Sequence, residues 1–320
     1  MKSMRSSFSF LDMSHTLYAK GIAILIIVIG HLGNYSGVTW FTPLGGIGVS
    51  IFLFCSGYGL TLSYKKNGLS GYWWKKLVGV YVPFLIVETI ASVILQRPFL
   101  DTLLSFVFIK RLSPYGWYMQ YLFVCYLLFW IGTKFIKQEK IRLSVFGVLS
   151  IASFFLLENL QGEQALSFFG GVLIACLLDL SKAREYLSGR WRFLLLVSAA
   201  LLCGGVTLLA VKQIPFVRAQ HHYVITLVNL LLKSSLAAGI LTATLLLSPL
   251  KRMVFWGGKL AYPLYLVHGY FMFFVSQNLC GSYLLSCIVT VAVSLALSLV
   301  LHWTIGAVQT RIHKFKKRGT

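Results

Sequence analysis

The stretch YAKGIAILIIVIGHLGNY, residues 18–35, decides how the rest of the chain is read. Lys20 stands near one end, and His31, preceded by Gly30, follows eleven positions later. Every residue between them is Gly, Ala, Ile, Leu or Val. A run of this length and polarity is built to span a membrane. On a helix rising about 1.5 Å per residue, the two ionisable side chains lie roughly 16 Å apart along the axis. Burying such a group costs free energy that lipid does not return, so it marks a functional site by default. A plainer reading is a histidine hydrogen-bonded between helices for structural reasons alone. Spacing leaves both readings open.

Outward from that run, 58% of the 320 residues are hydrophobic and 12% are charged, which excludes an ordinary soluble domain. Apolar stretches recur from residue 17 to residue 308, as in a multi-pass protein of a cell membrane. The formal charge of +21 raises nucleic acid as a partner, but the lysines and arginines come in short clusters between apolar runs. That pattern orients helices in a bilayer, so lipid is the expected partner and nucleic acid is not. The first run lacks a small-residue cleavage site, so no removable signal peptide is expected. The six cysteines form no C-x-x-C pair, and they read as buried thiols acting as small hydrophobes. No metal site is expected.

The fold class expected is all-α, a single polytopic helix bundle over residues 1–320. Ten spans are predicted, near 17–35, 44–64, 77–95, 117–136, 143–157, 164–180, 193–213, 223–247, 254–279 and 283–308. With the N-terminus in the cytoplasm, 23 of the 29 lysines and arginines fall on the inner side, 5 on the outer side, and Lys233 inside a span. This asymmetry predicts that both termini are cytoplasmic. No segment between spans is long enough for a second domain. The longest outer loop, 96–116, carries an apolar patch at 103–109 too short to cross.

Four further segments carry polar or small residues in apolar surroundings. GGIGVSIFLFCSGYGL (45–60) sets Gly48, Ser56 and Gly57 where helix backbones can approach closely. YWWKKLVGVYVPF (72–84) places Lys75 and Lys76 at a membrane edge, where lysines ordinarily anchor a helix. They also form a cationic cradle of the kind a diphosphate-bearing donor needs. GWYMQYLFVCYLL (116–128) opens with Trp117 and Tyr118, which an interfacial aromatic belt explains equally well. GGKLAYPLYLVH (257–268) brings Tyr262, Tyr265 and His268 into one span. Glu88, Asp179, Asn229, Lys233 and His302 are also expected within spans. Glu88 can accept from a histidine or balance a buried cation, and Lys233 needs an acidic or carbonyl partner. His221 and His222 read as a solvated pair in an outer loop.

Taken in order, these segments resemble the signatures of the acyltransferase-3 family of integral-membrane acyltransferases. Lys20-Gly21, the apolar spacer and Gly30-His31 match its first span. Gly48-Val49-Ser50-Ile51-Phe52 with Ser56-Gly57-Tyr58 resembles its second, and 72–84 its aromatic–basic–basic–proline pattern. The segment 257–268 matches its late Gly-Lys-x-Ser/Ala-Tyr-x-x-Tyr-Leu-x-His stretch almost residue by residue. The chain departs from the family at Leu17, where an aspartate is common, and at Gly79, where a second arginine is common. Lys20 stands where arginine is usual, so a bidentate grip is lost while the charge remains.

The resemblance implies a membrane O-acyltransferase that takes an acyl group, acetyl first among them, from acyl-CoA. The donor is a co-substrate, and no permanently bound cofactor is expected. His31 is implied as general base or transient acyl carrier, with Lys20, Lys75 and Lys76 holding the donor. Ser56, Glu88, Trp117, Tyr118, Tyr262, Tyr265 and His268 are the expected substrate or structural supports. The implied acceptor is a hydroxyl of an envelope carbohydrate or a lipid-linked sugar. The Lys20–His31 spacing suits a donor arm threading from the cytoplasm to meet an acceptor from the outer side. The competing reading is a non-enzymatic exporter of glycan or lipid, which needs intramembrane polar groups too. The inverted repeats and matched broken helices usual in such proteins are not found in the sequence.

Overall fold

The structure, a computed structural model, describes residues 11–35, 41–113, 115–246, 251–278 and 282–318. Lys2, Arg5, Cys280 and the last residues of two expected spans, 247 and 279, lie outside them. The chain begins with α1 (Met13–Tyr35) and α2 (Thr42–Asn67). Next, α3 (Tyr72–Lys76) continues through a π-helical turn (Leu77–Tyr81) into α4 (Val82–Ile94). Then come α5 (Phe99–Phe106), α6 (Trp117–Phe135), α7 (Glu139–Leu156), α8 (Asn159–Gly162), α9 (Ala165–Leu177) and α10 (Leu180–Leu187). The last third holds α11 (Trp191–Gln213), α12 (Pro215–Arg218), α13 (His222–Ala243), α14 (Lys251–Asn278) and α15 (Tyr283–Arg318). No strand occurs among the described residues, so the all-α class is what the chain forms.

A helix lies at each of the ten expected spans, and seven helical segments among the described residues are long and apolar enough to cross a membrane. Trp117, Tyr118, Gln120, Tyr121 and Tyr126 lower the hydropathy of α6, and Glu139, Lys140 and Arg142 charge the start of α7. The sixth span ends earlier than expected. α9 stops at Leu177, and Asp179 is exposed at the start of α10, accepting from the amides of Ser181 (3.1 Å) and Lys182 (3.2 Å). The Ser181 hydroxyl, and after it the Lys182 amide, hold this carboxyl below the usual carboxylate range. An aspartate at the head of a short helix serves as a cap, so Asp179 is not the intramembrane acid expected.

The bundle is built around α2, which packs against α1, α9 and α13. Apolar burial gains little over lipid, so close approach and hydrogen bonding must hold such helices together. Gly48 supplies the first: a Cβ there would run into the Ala23 carbonyl and Ile27 of α1. Gly57 does the same against the Phe168 carbonyl of α9. Gln164, fully buried, supplies the second. It accepts from the Ser50 hydroxyl at 2.6 Å and donates to the Gly46 carbonyl at 2.9 Å, tying α2 to the turn before α9. α14 lies along α1, with Gly258 against the Leu17 carbonyl, and α11 pairs with α13.

The π-helical turn has a local cause. Pro83 has no N–H to give and crowds the carbonyl four residues back, at Gly79. The ladder shifts by one residue just upstream, where the Val82 amide bonds to the Leu77 carbonyl. The Val80 carbonyl is taken by the Tyr262 hydroxyl of α14 at 2.6 Å. Pro83 and Tyr262, more than half the chain apart, fix one bend.

Candidate active site

The pairing of α1 with α14 brings together two histidines that the sequence separates by 237 positions. His31 Nδ1 lies 2.8 Å from His268 Nε2, with the rings nearly parallel at 4°. His268 is fully buried, and its Nδ1 faces the carbonyl oxygens of Tyr265 at 2.8 Å and Leu264 at 3.0 Å. Carbonyl oxygens only accept, so Nδ1 of His268 must carry the proton. In a neutral imidazole Nε2 is then an acceptor, and Nδ1–H of His31 donates to it. The chain of donors therefore leaves Nε2 of His31 with a free lone pair.

That nitrogen faces α2. A Cβ placed on Gly45 would stand 3.2 Å from His31 Nε2, so the glycine keeps the approach open. Gly30 serves the packing of the two helices. It lets α1 meet the backbone of Gly45 and Phe41. Tyr115 stacks on the other face of His31, with centroids 3.9 Å apart. It is held by the Tyr265 hydroxyl, which donates to the Tyr115 carbonyl at 2.7 Å, and by Gly269, whose missing Cβ leaves room for the phenol ring.

His31 opens onto a cavity of about 690 Å³, a size typical of small-ligand sites. Trp117, Tyr265, Asn34, Thr42 and Gly46 line it beside the histidine. Lys212, Gln213, Arg218, Asn229, Lys233 and Glu163 line it as well. Lys233 has the acidic partner it needed: Glu163 holds it as an ion pair, and Asn229 donates to the same carboxylate at 2.5 Å.

The opposite end of α1 gathers the other basic residues. Lys76 lies within electrostatic reach of both Lys20 and Lys75, and its ammonium stands 4.5 Å from the centre of the Tyr126 ring. Lys20 is half-buried and Lys75 exposed. Ser56 lies beside Tyr126, and the Tyr72 hydroxyl donates to the Tyr126 carbonyl at 2.8 Å. Between this basic end and His31 sit three buried rings, Phe52, Tyr118 and Tyr265. Tyr118 and Tyr265 meet edge-on at 4.8 Å, and Phe52 lies 6.2 and 6.3 Å from them. On α2, Phe52 falls between Gly45 and Ser56; on α14, Tyr265 falls between His268 and Tyr262. The cavity stops at this layer, its lining including none of Lys20, Lys75 and Lys76.

With this geometry in view, the family profile described as an acyltransferase domain matches residues 10–303. The chain belongs to the acyltransferase-3 family. Searches of curated proteins and of solved structures each returned no significant match.

This acyltransferase thus brings His31, His268, Trp117 and Tyr265 to one cavity or its wall, and Lys20, Lys76, Tyr126 and Ser56 to the other end. Glu88 belongs to neither group. It is buried, bonded to the Tyr270 hydroxyl and to Ser105 at 3.3 Å, and touches no histidine. Its expected histidine or cation partner is replaced by two hydroxyls that fasten α14 and α5 to α4. Tyr262 braces the π-helical turn. Sequence reasoning passed over Tyr115, Gly45 and Glu163. Glu163 had a signal: an acid at the edge of one apolar run, with Lys233 stranded in another, is a pair to be tried. Tyr115 had none, standing in a loop beside an aromatic helix start.

Proposed function

We propose that this acyltransferase moves an acyl group, acetyl in the first instance, from cytoplasmic acyl-CoA to a hydroxyl of an envelope carbohydrate or lipid-linked sugar. The observation that carries this reading is the free lone pair of His31, aimed at a cavity by a hydrogen-bonded partner. The acceptor hydroxyl enters from the cavity, and the donor arm comes from the Lys20–Lys76 end past the aromatic layer. Roughly 16 Å separates Lys20 from His31 along α1, on the order of the reach of the coenzyme's flexible arm.

In the reaction, Nε2 of His31 takes the acceptor's proton as its oxygen bonds to the thioester carbonyl carbon. The tetrahedral intermediate then breaks its carbon–sulfur bond, and the departing thiolate recovers the proton from His31. While the ring is charged, Nδ1–H holds its bond to His268, and the Tyr115 ring lies over the imidazolium as a cation–π partner. His268 acts through His31 and is a positioning residue. Lys20, Lys75 and Lys76 supply charge for the donor's phosphates.

Purified protein in nanodiscs with labelled acetyl-CoA tests the reading. His31→Ala is expected to keep the fold and donor binding and to lose about 10²- to 10⁴-fold in turnover. A His31→Ala protein within a few-fold of wild type would remove His31 from the chemistry. Lys20→Ala is expected to weaken donor binding and Lys20→Arg to keep most of it; an unchanged dissociation constant for Lys20→Ala would remove the anchor.

A further inference from the structure

We infer that the acceptor bears a negatively charged group, and that Lys212 and Arg218 receive it. The inference rests on the acceptor occupying the His31 cavity. Besides His31 and two tyrosines, four ionisable residues line this cavity: Lys212, Arg218, Lys233 and Glu163. Of the chain's 8 acidic residues, Glu163 is the one that reaches this cavity. It is already engaged, gripping Lys233 with help from Asn229. Lys233 is itself pinned, its terminal carbons and ammonium lying against the bare backbone of Gly46.

The two remaining cations are left over. Lys212, at the end of α11, is half-buried and makes no hydrogen bond or ion pair among the described residues. Its interactions are electrostatic, first with Glu163 and then with Lys233 and Arg218, both of its own sign. Arg218, on α12, is exposed and bonded to the Gln213 side chain, a neutral acceptor that orients the guanidinium without cancelling its charge. A half-buried ammonium beside two other cations loses hydration, and the one carboxylate acting on it, Glu163, is already ion-paired with Lys233. An anionic ligand supplies that charge, and Arg offers it a forked donor set. Lining the same cavity as His31, the pair orients a charged saccharide with a hydroxyl toward the base. Carboxylate and phosphate share this chemistry.

The experiment is equilibrium binding to full-length protein in phosphatidylcholine nanodiscs, with glucuronate, glucose 1-phosphate and glucose as probes. Glucuronate and glucose 1-phosphate are expected to bind at least about tenfold more tightly than glucose, with the advantage shrinking as salt is raised. The tighter of the two identifies the anion. The double variant Lys212→Ala, Arg218→Ala is expected to bind all three alike. Equal binding of the three probes by wild type overturns the inference, as does an anion preference that survives the double variant. Loss of acetyl-CoA binding in the double variant, with sugar binding unchanged, also overturns it by assigning the two cations to the donor. Because binding is read without turnover, an intact anion preference in a preparation that transfers nothing supports this inference and counts against the donor and base assignments alone.

Discussion

At the scale of single residues, the lone pair on His31 Nε2 is useful only if a hydroxyl can reach it and only in one tautomer. Gly45 governs the first condition. Gly45→Val sets a branched side chain against the nitrogen, and turnover is expected to fall by on the order of a hundredfold while acetyl-CoA binding persists. Both quantities are read on the same nanodisc preparation; full turnover in the variant means the acceptor comes by another route. His268 governs the second condition. His268→Ala removes the acceptor that holds His31 Nδ1–H, so the neutral ring is free to take the other tautomer. His268→Gln keeps an acceptor near the former Nε2 and is expected to retain more kcat than alanine at similar KM. Nitrogen NMR of labelled His31 follows the tautomer directly, and an unchanged tautomer in His268→Ala refutes the relay. Sequence made His31 and His268 visible singly, as polar residues in apolar runs. It did not show that they touch, because a helix period fixes the face of its own helix and says nothing of which distant face meets it.

Among the elements, α13 is held to the turn between α8 and α9 by the Glu163–Lys233 pair, with both side chains buried. Removing one partner leaves a charge with no compensation. Glu163→Gln is expected to cost about 3–5 kcal/mol, and the double variant Glu163→Gln, Lys233→Met to recover most of it. Thermal unfolding of the solubilised protein measures both. If the single and double variants are equally unstable, packing of the turn matters more than the charges. The small residues around Gly48 foreshadowed a close helix contact on α2, since a missing side chain is an invitation to a neighbouring backbone, but they did not name α1 as the partner. The boundary of α9 was misjudged because Asp179 follows an apolar run without interruption. Only the free amides of the next helix reveal it as a cap rather than a buried acid.

For the molecule as a whole, the charge count predicts ten spans with both ends in the cytoplasm. Gln161 and Gly162 are buried, so they are poor places to probe an outer surface. In a cysteine-free background, a thiol at exposed Ala219 is expected to react with an impermeant maleimide from outside, and one at exposed Asn67 is not. The reverse result inverts the topology. The all-helical class and the places of the longer helices were legible because membrane helices are written in long apolar runs. The cavity was not, since its walls come from α1, α2, α11, α12, α13 and α14 and the segments around α6 and α8. A protein with polar mouths at opposite ends also risks becoming an electrical short circuit. The interlocked rings of Phe52, Tyr118 and Tyr265 make it an insulator instead. Each elementary charge leaking down a 100 mV potential dissipates about 2.3 kcal/mol, and closely set buried rings leave protons little room for a file of water. Proteoliposomes carrying the resting protein are therefore expected to hold a pH gradient as long as empty ones do, and Phe52→Ala to make them leak.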